Sequence, residues 1–137
     1  QVQMMEVKPR SVAFFPGKFQ PVHMGHIASI MKIFDDYEKI IIGITSDSPN
    51  ILSLNERKNI FKSILSRYKK FEYVFFDTSL VDIVDISILP QFDVCVSGNQ
   101  KVIDFMKKYN FKTRFLNRSK GIGYSGTEIR SIVGKKQ

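Results

Sequence analysis

The stretch Gly17–His26, reading GKFQPVHMGH, lies between an apolar run, Val12–Phe15, and a segment in which Ile27, Ile30, Met31, Phe34 and Tyr37 recur at helical spacing. The run predicts a strand that ends at Pro16 and Gly17, and the periodic segment predicts a helix entered straight from the loop. Strand, short loop and helix in that order open the repeating unit of a parallel α/β sheet. The chain's two histidines, His23 and His26, both fall in this loop, three residues apart around the start of the helix. Backbone N–H groups and the positive end of the helix dipole favour a phosphate there. Gly17 and Gly25 carry no side chain to obstruct a ligand's approach to the backbone. Imidazole donates hydrogen bonds to phosphate oxygens whether neutral or charged. Two plainer readings stay open. The histidines cap the helix or sit at its surface, or they supply half of a metal site that carboxylates would have to complete, since there is one cysteine and no third histidine.

Outward from this unit the alternation continues. Lys39–Thr45 is Ile-rich enough to predict an interior strand covered on both faces. After the polar stretch Ser46–Asn50, the residues Ser53, Leu54, Asn55 and Glu56 have capping-box spacing. They open a helix to about Tyr68 that turns Ile60, Ile64, Leu65 and Tyr68 inward. Glu72–Phe76 and Asp93–Ser97 predict the third and fourth strands. Between them Ser79–Leu89 fits either period, and a short helix from Leu80 to about Ser87 is favoured because an alternating chain needs a crossover there. The helix Gln100–Tyr109, with Val102, Ile103 and Met106 inward, and the strand Lys112–Leu116 follow. A loop with Gly121 and Gly123 then leads to a last helix from near Ser125.

The fold predicted is α/β: a single-domain, doubly wound (Rossmann-like) five-stranded parallel sheet with helices on both faces. It occupies residues 11–134 after an N-terminal extension, 1–10, whose first three residues are set aside as a remnant of expression. Ligands in such folds sit beyond the carboxyl ends of the strands.

A length of 137 residues suits one domain with a buried core. The net charge of +8, from 21 Lys and Arg against 13 Asp and Glu, suits an anionic ligand. Lys62, Arg67, Lys69, Lys70, Lys107 and Lys108 are scattered over solvent faces of helices, with no stripe interleaved with aromatics, so nucleic acid is not expected as a partner. The single cysteine, Cys95, excludes an intramolecular disulfide and a multi-cysteine zinc site. Its place inside an apolar run predicts a buried, inert thiol. No run approaches the roughly 20 apolar residues of a membrane span, and no apolar signal region follows the N-terminus. A soluble, cytoplasmic protein is expected.

The string GKFQPVHMGH between strand and helix, SGN at Ser97–Asn99, FLNR at Phe115–Arg118 and YSGTEIR at Tyr124–Arg130 together resemble the HxGH nucleotidyltransferase (cytidylyltransferase-like) superfamily. The likeness runs over nearly the whole chain and is greatest to the archaeal-type nicotinamide mononucleotide adenylyltransferases. The resemblance implies that His23, His26, Lys18 and the backbone near Phe19 stabilise charge on the α- and β-phosphates of a nucleoside triphosphate. Arg130 and Thr127 would hold the outer phosphates, with Gly17, Gly25, Tyr124 and Ser125 lining the nucleotide. Gly98 and Asn99 would border the adenosine, and Arg57, in NERKNI, would reach the phosphates. Plainer readings stand beside these. Arg57 fits an exposed residue in the first turn of a helix. Ser125 and Glu128 fit a capping box, which still leaves Thr127 and a hydroxyl hydrogen for a phosphate.

The implied reaction is in-line attack by an acceptor phosphate oxygen on the α-phosphorus of ATP, with release of pyrophosphate and no covalent enzyme intermediate. Mg²⁺ would be bound mainly through the triphosphate, and no protein ligand for it is identified. Nicotinamide mononucleotide and then phosphopantetheine lead as acceptors. The alternative is a cytidylyltransferase using CTP on glycerol, choline or sugar phosphate, and a remoter one is a non-catalytic nucleotide- or RNA-binding module. Whether the chain forms a homo-oligomer is left open. Two departures from the family pattern fall on the acceptor side. The sequence has no Trp to stack on a nicotinamide between the third and fourth strands, and the loop after the second strand is short.

Overall fold

A computed structural model of the chain describes residues 11–20, 22–46 and 52–117. Five strands carry it: β1 (Val12–Gly17), β2 (Lys39–Ile44), β3 (Phe71–Phe75), β4 (Val94–Ser97) and β5 (Thr113–Phe115). They form one parallel sheet in the order β3-β2-β1-β4-β5. Three α-helices join them: α1 (Met24–Lys32), α2 (Leu54–Leu65) and α3 (Gln100–Lys108). Side chains alternate across the sheet. Phe15, Ile40, Ile42, Val94 and Val96 meet Ile27 and Ile30 of α1 and Phe61 and Leu65 of α2 on one face. Phe14, Ile41 and Cys95 meet Val102, Phe105 and Met106 of α3 on the other. The five parallel strands and the helices on both faces agree with the fold read from the sequence.

The interior strands β1, β2 and β4 are nearly continuously buried, whereas the edge strands β3 and β5 are half-exposed. That is why β2, the run richest in Ile, was legible as interior. α2 begins as its sequence predicts: Ser53 Oγ accepts from the Glu56 N–H at 3.0 Å, and Glu56 Oε1 accepts from the Ser53 N–H at 2.8 Å.

Several boundaries differ from the sequence reading. α1 stops at Lys32, and Phe34–Asp36 forms a separate 3₁₀ turn. Lys70 Nζ closes that turn by donating to the carbonyls of Phe34 and Tyr37 at 2.5 and 2.9 Å. α2 ends at Leu65, and Ile64 is 45% exposed and so does not turn inward. No α-helix spans Leu80 to Ser87. The segment makes two 3₁₀ turns, Leu80–Asp82 and Ile86–Ile88, that bury Leu80 and Ile83 against Phe14 and Phe76. Two anchors hold it down, and the intervening residues stay exposed, so it crosses the sheet without a helical stripe.

β1 ends where the sequence places its end, at Pro16 and Gly17, pairing with β2 as far as Gly17 opposite Ile44. Alternate residues of a parallel strand face opposite neighbours. The Gly17 carbonyl accepts from the Thr45 N–H, so Gly17 faces β2 and Pro16 faces β4. Pro16 has no N–H to give. The β1–β4 ladder stops at Phe14 opposite Cys95, two strand residues before Pro16. The carboxyl ends of β1 and β4 are therefore left unjoined where the sheet's winding reverses, the position at which doubly wound folds bind ligands.

Candidate active site

The loop after β1 and the start of α1 form one wall of this opening. His23 is the N-cap of α1, and its Nδ1 accepts from the Gly25 N–H at 3.0 Å. His26, on the first turn, returns the contact: its Nδ1 accepts from the His23 N–H at 3.1 Å. The two rings stack with centroids 3.8 Å apart and 24° between planes. Phe19 packs edge-on against the His26 ring at 4.8 Å. Because each Nδ1 accepts a hydrogen bond, each neutral ring carries its proton on Nε2. The capping reading is therefore observed: the Nδ1 of each ring caps the helix, and Nε2 carries the ring's proton. The first turn of α1 contains no acidic residue, so the positive end of the helix is not neutralised from within.

Lys18 is half-buried in the same loop, and Phe19 adopts φ 50°, a left-handed conformation that is uncommon for a bulky residue. Phe19 is buried at 2% exposure, with its ring beside Phe15 and Phe61. A Cβ on Gly17 would lie 2.6 Å from that ring. The glycine is required by packing within the protein, in addition to any requirement from a ligand.

Gly98 and Asn99 follow β4 on the opposite wall. Asn99 is the N-cap of α3, with Oδ1 accepting from the Lys101 N–H at 2.9 Å, and its own N–H donates to Ser97 Oγ at 3.0 Å. The fold therefore brings Gly17, Lys18, Phe19, His23, Gly25 and His26 to one side of the β1–β4 opening and Gly98 and Asn99 to the other. Tyr124, Ser125, Thr127 and Arg130 lie outside the described residues.

Arg57 departs from its plainer sequence reading. It is 1% exposed, not a surface residue of the first helical turn. Nη1 donates to the carbonyls of Lys18 at 2.7 Å and Thr45 at 2.6 Å, and Nε donates to the carbonyl of Ser53 at 3.2 Å. Sequence reasoning passed over Gln20 and Thr45. Gln20 is 3% exposed, and its amide pairs with both backbone groups of Leu52: Oε1 accepts from the N–H at 2.8 Å and Nε2 donates to the carbonyl at 3.3 Å. Thr45 Oγ1 donates to the Gly17 carbonyl at 3.2 Å. The Thr45–Gly17, Gln20–Leu52 and Arg57–Lys18 contacts span 28 to 39 residues and leave no local sequence signal.

Among the described residues no three His, Cys, Asp or Glu side chains converge on a point that could hold a metal ion. No described helix is long and apolar enough to cross a membrane. Cys95 is buried in β4, and burial pushes its thiol up to about 12.

The model of the cytidylyltransferase-like family matches residues 14–132. A nicotinamide-nucleotide adenylyltransferase of Methanococcus vannielii is 33% identical over 137 residues, covering 90% of this chain and 77% of its own length. A phosphopantetheine adenylyltransferase of Clostridium perfringens is 28% identical over 109 residues, covering 78% of this chain and 63% of its own. A bifunctional NMN adenylyltransferase/ADP ribose pyrophosphatase from Francisella tularensis superposes with a TM-score of 0.65 at 17% identity, over 93% of this chain and 43% of that one. The same protein complexed with AMP and a Mn ion gives a TM-score of 0.63 at 19% identity, over 90% of this chain and 41% of that one. At such identities the solved structures speak for the fold alone. This chain spans less than two thirds of the phosphopantetheine relative and less than half of the bifunctional one.

Proposed function

The chain belongs to the cytidylyltransferase-like family, and on that premise we propose that it is a nucleotidyltransferase that moves the adenylyl group of ATP onto a phosphate-bearing metabolite and releases pyrophosphate. The observation that carries the proposal is the His23–His26 pair. Two stacked imidazoles at one helix start, each with Nδ1 committed to the backbone, carry their protons on Nε2 beside a helix whose first turn holds no acidic residue.

In the step proposed, an acceptor phosphate oxygen attacks the α-phosphorus of ATP, the bond from that phosphorus to the bridging oxygen breaks, and pyrophosphate leaves with the electron pair. His23, His26 and Lys18 stabilise the charge that develops on the α- and β-phosphates, and such fixed donors act without reorganising. Gly98 and Asn99, across the β1–β4 opening, border the adenosine. Arg130 and Thr127 hold the outer phosphates, an assignment supported by a family match that runs through residue 132. Mg²⁺, bound mainly through the triphosphate, would neutralise phosphate charge.

The names of the relatives support nicotinamide mononucleotide and phosphopantetheine as acceptors. The test is pyrophosphate release from ATP or CTP with Mg²⁺ and a panel of acceptors: these two, glycerol phosphate and choline phosphate. Release with ATP and one of the first two is the expected outcome. Release with CTP alone would replace the adenylyl reading by a cytidylyl one, and no release with any pair would overturn nucleotidyl transfer.

A further inference from the structure

Three consecutive residues of the phosphate-facing loop, Lys18, Phe19 and Gln20, are each held by the same element, α2 and the residue pair leading into it. The Lys18 carbonyl accepts from Arg57 at 2.7 Å. The Phe19 ring packs edge-on against Phe61 at 4.7 Å. The Gln20 amide makes two hydrogen bonds with the backbone of Leu52. Arg57 and Gln20 are 1% and 3% exposed, and Phe19 between them is held at φ 50°. A strained residue persists where its surroundings over-determine it, and here both neighbours are fixed by part-buried polar contacts. Arg57 Nη1 also donates to the Thr45 carbonyl at the end of β2, so one nitrogen ties the β1 loop to the next strand.

We infer that Arg57 and Gln20 are positioning residues: a buried brace through which α2 sets the shape of the loop at Lys18–Gln20, and through it the site's donors, without touching the nucleotide. The inference rests on the nucleotidyl transfer proposed above for its kinetic arm, and on the structure alone for its exchange arm. Its consequence is that loss of the brace misplaces donors whose value depends on sub-ångström placement. The rate step should suffer more than ATP binding.

The experiment uses the full chain as wild type, Gln20→Ala, Gln20→Glu, Arg57→Lys and the Gln20→Ala/Arg57→Lys pair. Hydrogen exchange of the free protein and steady-state kinetics with ATP are read together. Gln20→Ala, which removes no charge, should speed exchange of the amides of residues 17–20 and of Leu52 while the strands keep their protection. It should lower kcat by about 10- to 100-fold with KM for ATP moved by less than about threefold. Gln20→Glu, which keeps the acceptor for the Leu52 N–H, should recover part of the loss. The pair should be little worse than its poorer single variant, because both changes release one loop.

Unchanged exchange and unchanged kcat in Gln20→Ala would overturn the brace. So would an Arg57→Lys variant that raises KM for ATP with kcat kept, or losses that multiply in the pair, since either would place Arg57 on the phosphates. If Arg57→Lys does not fold, the Gln20 variants decide. If the wild type transfers no nucleotide, the functional proposal fails while the exchange arm still accepts or rejects the brace.

Discussion

His23 and His26 cap the same helix reciprocally through their Nδ1 atoms while their rings stack 3.8 Å apart. The cap and the proposed donor are different nitrogens of the same ring, so the two roles can be separated by substitution. Serine is a good N-cap but has no imidazole. His23→Ser should hold the melting temperature within a few degrees and lower turnover by about 100-fold or more. Thermal denaturation alongside pyrophosphate release checks it. Turnover near wild type would leave His23 a cap only.

Gly17→Ala should destabilise by about 1–3 kcal/mol, the usual cost of overpacking. The added Cβ would meet the Phe19 ring at 2.6 Å, and that ring is wedged among Phe15, His26 and Phe61 and cannot retreat. Urea denaturation measures the loss. Adding Phe19→Leu should recover part of it, and a Gly17→Ala variant as stable as wild type would refute the clash.

Cys95 should resist iodoacetamide at pH 8 in the folded protein and react once the chain is unfolded in urea. Burial raises the thiol from 9.0 to about 12, so the reactive thiolate is scarce in the native state. The sign of the linked stability follows. Between those two values the folded chain keeps a proton that the unfolded chain has lost, so this group's contribution to stability declines as pH rises above about 9. Native labelling as fast as denatured labelling, followed by mass spectrometry, would contradict the burial.

Asp36→Ala should change stability by no more than about 1 kcal/mol. Its ion pair with Arg114 is close, at 2.9 Å, but the side chains are 49% and 40% exposed, and such pairs are screened by solvent. A loss beyond about 2 kcal/mol in urea would show that the pair carries more than surface pairs do.

What the sequence made legible were features with a local period or a local motif. β2 was readable from a run of Ile, and α2 from the Ser53–Glu56 box. The histidine pair was readable from a spacing of three that suits a helix start. The crossover at Leu80–Ile88 was not, because two buried anchors, Leu80 and Ile83, fit a helical period as well as they fit a pair of 3₁₀ turns. Arg57, read either as reaching the phosphates or as exposed in the first turn of a helix, is buried for a different reason. Its position in the first turn is local information, but the Lys18 and Thr45 carbonyls that draw it inward come from elsewhere in the chain. Gln20 escaped notice on the same ground, since its partner, Leu52, lies 32 residues away.

Pro16 bears on how the site meets its ligand. The ladder between β1 and β4 stops because a ring nitrogen lacks a hydrogen, and no ligand or hinge is needed to stop it there. An opening fixed in covalent structure is present before anything binds. The entropy of holding the two walls apart is met during folding, so it does not diminish affinity. Entry of the proposed nucleotide at this seam would therefore require no strand to be unzipped.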